Sequence, residues 1–131
     1  MRFIMMMHAP KGTGDFQINN WSPEDFKAHI GFMHQYNREL TEGGQFVDAQ
    51  GLAAPAQAKL VRAGKGGEPV TDGAFAESKE FLVGWWVIEV DSPEEAYRLA
   101  AKASAAPGPG GKPLNMPIEV RQVMSAPPVT P

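Results

Sequence analysis

Phe81-Leu82-Val83-Gly84-Trp85-Trp86-Val87-Ile88-Glu89-Val90 is the stretch that decides the fold of this chain. Its residues are aromatic or β-branched to an unusual degree, and large apolar side chains stand at both odd and even positions. Neighbouring residues of a strand point to opposite faces of a sheet, so apolar groups at both parities predict a long central strand covered on both sides. Ser92-Pro93-Glu94-Glu95 follows and opens a helix with the capping-box pattern. Ala96, Leu99, Ala100 and Ala103 then recur at helical spacing, a face of small residues able to lie close against a sheet, and the helix stops before Pro107.

Working outward, Phe3 to Met7 is a second continuous apolar run, read as a covered strand. Pro10 to Asn20 is a loop carrying a Lys-Gly-Thr-Gly-Asp turn cluster. Ser22-Pro23-Glu24-Asp25 starts the first helix, with Trp21 and Phe26 at the spacing of a hydrophobic staple, and Gly43-Gly44 ends it. On that helix Phe26, Ile30, Met33, Asn37 and Leu40 form one stripe expected to pack on the sheet, while Phe32 points nearly the opposite way. Gln45 to Leu52 and Lys59 to Ala63 are further strands, and Gly64 to Gly67 turns the second back into a short strand at Pro69 to Thr71, making an inserted hairpin. Ser104 to Pro117 is a long loop dense in glycine and proline, of the kind that is usually functional or interfacial. Ile118 to Met124 is the last strand. Residues 1–125 are therefore read as one domain and 126–131 as a proline-rich, extended tail. The order predicts an α+β fold, ferredoxin-like βαββαβ with an inserted β-hairpin and both helices on one face.

Such a sheet has a second face, and its strands carry apolar residues of both parities. A second copy of the chain is the simplest cover, through a two-fold contact; a curled sheet with its own lid is the alternative. The 131 residues suffice for a single core, and 43% hydrophobic with 21% charged residues is ordinary for a globular protein. A net charge of -3 without a basic cluster argues against a nucleic-acid partner. The absence of cysteine removes disulfides, thiolate metal sites and cysteine nucleophiles, and suits a reducing cytoplasm. No apolar run reaches the length of a signal-peptide core or a membrane span, so no membrane partner is expected.

Thr71-Asp72-Gly73-Ala74-Phe75-Ala76-Glu77-Ser78-Lys79-Glu80 closely resembles the Asp-Gly-Pro-Phe-Ala-Glu-Thr-Lys-Glu signature of the DGPF, or YCII-related, family, with Ala74 in place of the proline. Tyr36-Asn37-Arg38-Glu39-Leu40, Gly51-Leu52, Gly84-Trp85-Trp86 and Ile118 to Val123 extend the resemblance over roughly Met1 to Met124. It implies a ferredoxin-like domain that dimerises into an α/β barrel. Some members sit beside or are fused to sigma factors, and distant relatives resemble small isomerase, decarboxylase and dehalogenase-type enzymes in which a histidine and an aspartate are proposed as a catalytic pair.

Asp72 and His34 are the corresponding candidates here for proton exchange without a cofactor. The competing reading of Asp72 is an Asx-turn, and that of His34 a ring hydrogen-bonded to backbone at the edge of the helix stripe. His8, Tyr36, Glu77, Lys79 and Trp86 are candidate ligand contacts: Lys79 as an anion anchor, His8 at the end of its strand, and Trp86 as part of an apolar pocket. His29 and His34 stand about 140° apart on the helix and cannot share a metal, so no metal is expected. The Gly108-Pro109-Gly110-Gly111-Lys112 run lacks the spacing of a phosphate loop. Two function classes stay open: acid-base chemistry of the isomerase or lyase type on a small organic acid, or a ligand-sensing or protein-docking module linked to a sigma-factor system.

Overall fold

The computed structural model of the chain describes residues 1–10, 20–73 and 80–124, which form two helices and two antiparallel sheets. The strands are β1 (Arg2–Pro10), β2 (Phe46–Gly51), β3 (Lys59–Ala63), β4 (Pro69–Gly73), β5 (Glu80–Glu89) and β6 (Ile118–Gln122). Helix α1 (Pro23–Glu42) connects β1 to β2, and α2 (Pro93–Ser104) connects β5 to β6. The main sheet has the order β2-β5-β1-β6, so the aromatic strand does lie inside it; β3 and β4 pair only with each other, as the inserted hairpin. This arrangement is compatible with a ferredoxin-like α+β fold. No helix of the described residues is long and apolar enough to cross a membrane.

Register separates the two faces of the sheet. Phe3 pairs with Ile88 and Met5 with Trp86, and these four are buried together with Tyr36 and Leu40 of α1 and the Ala96, Leu99, Ala100 and Ala103 face of α2. Burying each large side chain of this kind stabilises by roughly 1.5–3 kcal/mol. Ile4 pairs with Val87 and Met6 with Trp85, and these stand half-buried on the face away from both helices. Gly84 is needed where β2 meets β5: a Cβ there would sit 2.8 Å from the Gln50 carbonyl oxygen.

Both helices begin as their sequences specify. Ser22 Oγ accepts from the Asp25 N–H at 3.1 Å and Ser92 Oγ from the Glu95 N–H at 3.2 Å, each cap contributing about 1 kcal/mol. The face that α1 buries differs from the expected one. His29, Tyr36 and Leu40 are buried and Phe32 and Met33 pack beside them, whereas Phe26 is 44% exposed. The buried stripe is thus turned by about 60° from the Phe26–Leu40 reading. The reason is that α1 packs on α2 as well as on the sheet: the Tyr36 hydroxyl donates to the Leu99 carbonyl at 2.7 Å, and Glu39 of α1 pairs with Lys102 of α2. Trp21 sets its ring edge against His29, with 5.2 Å between centroids, while Phe26 on the next turn stays exposed.

The glycine- and proline-rich segment after α2 is a packed strap. Pro107 bridges to Pro113, the Gly108 N–H donates to the Lys112 carbonyl at 2.7 Å, and Gly110 and Gly111 take the left-handed φ values of 70° and 77° that let the chain reverse between them. Ala106 and Met116 are buried beneath it. The loop expected at Pro10 to Asn20 lies, from Lys11 to Asn19, outside the described residues, and so does the tail from Ser125 onward.

Candidate functional site

Between α1, the main sheet and the strap lies a cavity of about 820 Å³, within the range of small-molecule sites. Met7 and Ala9 of β1 and Val83, Gly84 and Trp86 of β5 form its floor. Helix α1 supplies one wall through His29, Ile30, Met33 and Asn37. Leu114 and Met116 of the strap close one side, and Ala49 to Pro55, running out of β2, close the other. The sequence builds this space with small groups on the β2 side, Gly51, Ala53 and Ala54, opposite the larger α1 side chains.

Two polar side chains at the wall have their hydrogens assigned by their partners. His29 is 5% exposed, and its Nδ1 lies 3.0 Å from the Pro107 carbonyl oxygen. A carbonyl can only accept, so Nδ1 carries a hydrogen, and the tautomer this bond selects has its lone pair on Nε2. Trp86 Nε1 donates to Asn37 Oδ1 at 2.7 Å. An indole can only donate, so the oxygen of Asn37 is engaged and its NH₂ group remains as the donor. Trp86 is also held edge-on by Tyr36, 5.3 Å between centroids. Trp21 and Trp86 both border the cavity.

Of the side chains expected from the sequence, Trp86 is at this cavity. The structure does not bring Asp72 and His34 together. Asp72 stands in β4, opposite Leu60, in the separate hairpin; it is exposed and its Oδ2 lies 3.1 Å from Arg62 Nη2. His34 is exposed because it is about 140° around α1 from His29, which is at the centre of the buried stripe. His8 follows Ile4 and Met6 onto the sheet face away from the helices, where its Nε2 is buried, unbonded and 3.4 Å from Glu119 Oε1, too long for a good hydrogen bond. Tyr36 is buried in the core; its hydroxyl is committed to α2, and burial pushes the phenol well above its ordinary range. Glu77 and Lys79 lie outside the described residues.

Beside Tyr36 a smaller hollow is flanked by Glu39 and Lys102, which form an ion pair; the Lys102 hydrogen bond, aided by one from Gln35, holds the exposed Glu39 carboxyl below its usual range. Among the described residues no three histidine, aspartate or glutamate side chains gather as metal ligands.

A model of the YCII-related domain matches residues 1–108. The chain belongs to the YCII-related family. A protein of Rhizobium meliloti (strain 1021), described as uncharacterized, is 31% identical over 102 residues, which is 77% of this chain and 82% of that one. The match takes in β1, α1, β2, β5 and α2, hence the floor and the α1 wall of the cavity; Leu114 and Met116 fall beyond it.

His29 stands among the sequence candidates only as half of the excluded metal pair. A signal was available: His29, Met33 and Asn37 form one row at i, i+4 and i+8, and all three border the cavity. The Trp86–Asn37 bond joins residues 49 apart in the chain and has no local signature.

Proposed function

We propose that this YCII-related chain binds a small molecule in the cavity between α1 and the main sheet and works as a homodimer. The observation that carries the reading is the cavity itself, a largely apolar space of about 820 Å³ with His29 and Asn37, each oriented by an internal hydrogen bond, on its α1 wall. The dimer is supported by the other face of the sheet, where Ile4, Met6, Trp85 and Val87 form an apolar patch that neither helix covers. A second copy meeting it through a two-fold axis would bury that patch against itself.

A second reading, cofactor-free acid-base chemistry of the isomerase or lyase type, is favoured by one observation: the Pro107 carbonyl fixes the tautomer of His29 and leaves Nε2 able to take a proton from a bound ligand. In this reading His29 takes the part that the sequence assigned to His34.

The test of the binding reading is a titration with a neutral apolar fluorophore, N-phenyl-1-naphthylamine, read by energy transfer from the tryptophans. One probe should bind per chain, saturably. Ala49→Phe, which fills the cavity from β2, should abolish binding while the far-ultraviolet circular dichroism is kept. Undiminished binding by that variant would place the probe elsewhere and overturn the reading.

A further inference from the structure

We infer that the occupant of this cavity is an uncharged, elongated, largely aromatic molecule with a hydrogen-bond donor, such as a hydroxyl, at the end facing His29 and an acceptor, such as a ketone oxygen, at the end facing Asn37. The inference deepens the binding reading above and rests on it. Its first ground is the complementarity left over once internal hydrogen bonds are made. His29 has spent its N–H on Pro107 and offers a lone pair; Asn37 has spent its oxygen on Trp86 and offers N–H groups. One side chain therefore asks for a donor and the other for an acceptor.

The second ground is their spacing. His29 and Asn37 are eight residues apart on α1, about 12 Å along its axis, and helical side chains tilt alike toward the N-terminus, which preserves the separation. The two groups meet opposite ends of a ligand rather than one functional group. Met33, one turn from each, leaves the middle of that wall apolar. Trp86 supplies an aromatic surface on the floor.

The third ground is charge. Among the described residues that border the cavity none is a lysine, arginine, aspartate or glutamate, and His29 alone is ionisable. A carboxylate or ammonium group taken into this space would lose water without meeting an opposite fixed charge among the described residues. The chemistry is thus that of a neutral hydroxy-ketone, and it differs from the small organic acid expected from the sequence.

The experiment compares three biphenyls on the full wild-type chain by quenching of tryptophan emission, with 4-hydroxybiphenyl as the reference that lacks the acetyl group: one with a para-hydroxyl on one ring and a para-acetyl on the other, its methyl ether, and the hydroxy-carboxylate in which the acetyl is replaced. The hydroxy-ketone should bind saturably, the methyl ether about tenfold more weakly because His29 Nε2 is left unpaired, and the carboxylate at least about tenfold more weakly. In His29→Phe the hydroxyl and methyl ether should bind alike. In Asn37→Leu the acetyl compound should lose its advantage over the same phenol without the acetyl group. Equal affinities across the series in the wild type, or preference for the carboxylate, would overturn the ligand class and leave the binding reading standing. Absence of saturable binding by all three, together with failure of the neutral fluorophore, would overturn both. The wild-type comparison decides the matter even where a variant fails to fold.

Discussion

Replacing Tyr36 by phenylalanine separates a structural tyrosine from a ligand-binding one, and its effect can be worked out in advance. The Tyr36 side chain is 2% exposed and its hydroxyl donates to the Leu99 carbonyl at 2.7 Å, joining α1 to α2. Tyr36→Phe keeps the ring, its stacking on Phe32 and its edge contact with Trp86, and removes one buried hydrogen bond. The expected loss at pH 8 is about 1 kcal/mol. The pH dependence is more diagnostic. Burial raises the folded-state pKa of Tyr36 well above 10, whereas in the unfolded chain it titrates near 10. A group raised on folding contributes stability in full below its unfolded pKa and loses it as pH climbs toward the folded one. One pH unit above the unfolded value costs about 1.4 kcal/mol, so between pH 9 and pH 11 the wild type should lose about that much more than Tyr36→Phe. The advantage of about 1 kcal/mol at pH 8 should therefore be gone at pH 11. Urea unfolding of both proteins at fixed chain concentration and at each pH measures the gap, and Tyr97 and the lysines, common to both, cancel in the difference. A gap that stays constant from pH 8 to pH 11 would refute a buried, un-ionised phenol. Binding of the neutral fluorophore should be unchanged, since the hydroxyl is committed away from the large cavity.

Asp72→Asn removes one partner of an exposed ion pair on the hairpin, and should change stability by less than about 1 kcal/mol and leave fluorophore binding intact, as measured by urea unfolding and titration. Gly84→Ala drives a Cβ to within 2.8 Å of the Gln50 carbonyl oxygen; a loss on the order of 1–3 kcal/mol and faster amide exchange in β2 should follow, and unchanged exchange would show that the strands part without cost. Ser92→Ala deletes the α2 cap and should lower the urea-unfolding free energy by about 1 kcal/mol. Light scattering at low micromolar concentration should return twice the chain mass, and Val87→Lys on the face away from the helices should return the single mass with the circular dichroism kept; a wild-type monomer would sink the dimer.

Much of the fold was legible in the sequence because its signals are local. Aromatic and β-branched residues at both parities mark β5, Ser-Pro-acidic runs mark both helix starts, and the alanine and leucine spacing of α2 names the residues that are buried. The placement of side chains around the cavity was legible only in part: of the site candidates in the sequence Trp86 borders it, His34 and Asp72 stand exposed away from it, and His29 and Asn37 border it without being among them. Helix periodicity says which residues share a stripe and leaves the direction of the stripe to whatever packs against it. For α1 that partner includes α2, and the Tyr36–Leu99 contact turns the helix so that His29 faces inward and His34 outward.

The sequence by itself determined the elements, their order, the family through the run beginning at Asp72, and the chemistry available: no thiol, no basic cluster, three histidines. Only the tertiary structure decided which of those histidines stands in a cavity and which nitrogen of it carries the proton, because that depends on a carbonyl 78 residues away. The same holds for Asp72, which the inserted hairpin carries away from the main sheet and pairs with Arg62. Backbone hydrogen bonding and amphipathic spacing act over a few residues and can be read along the chain. Desolvation, and the pairing of one polar group with another, depend on which segments meet in three dimensions.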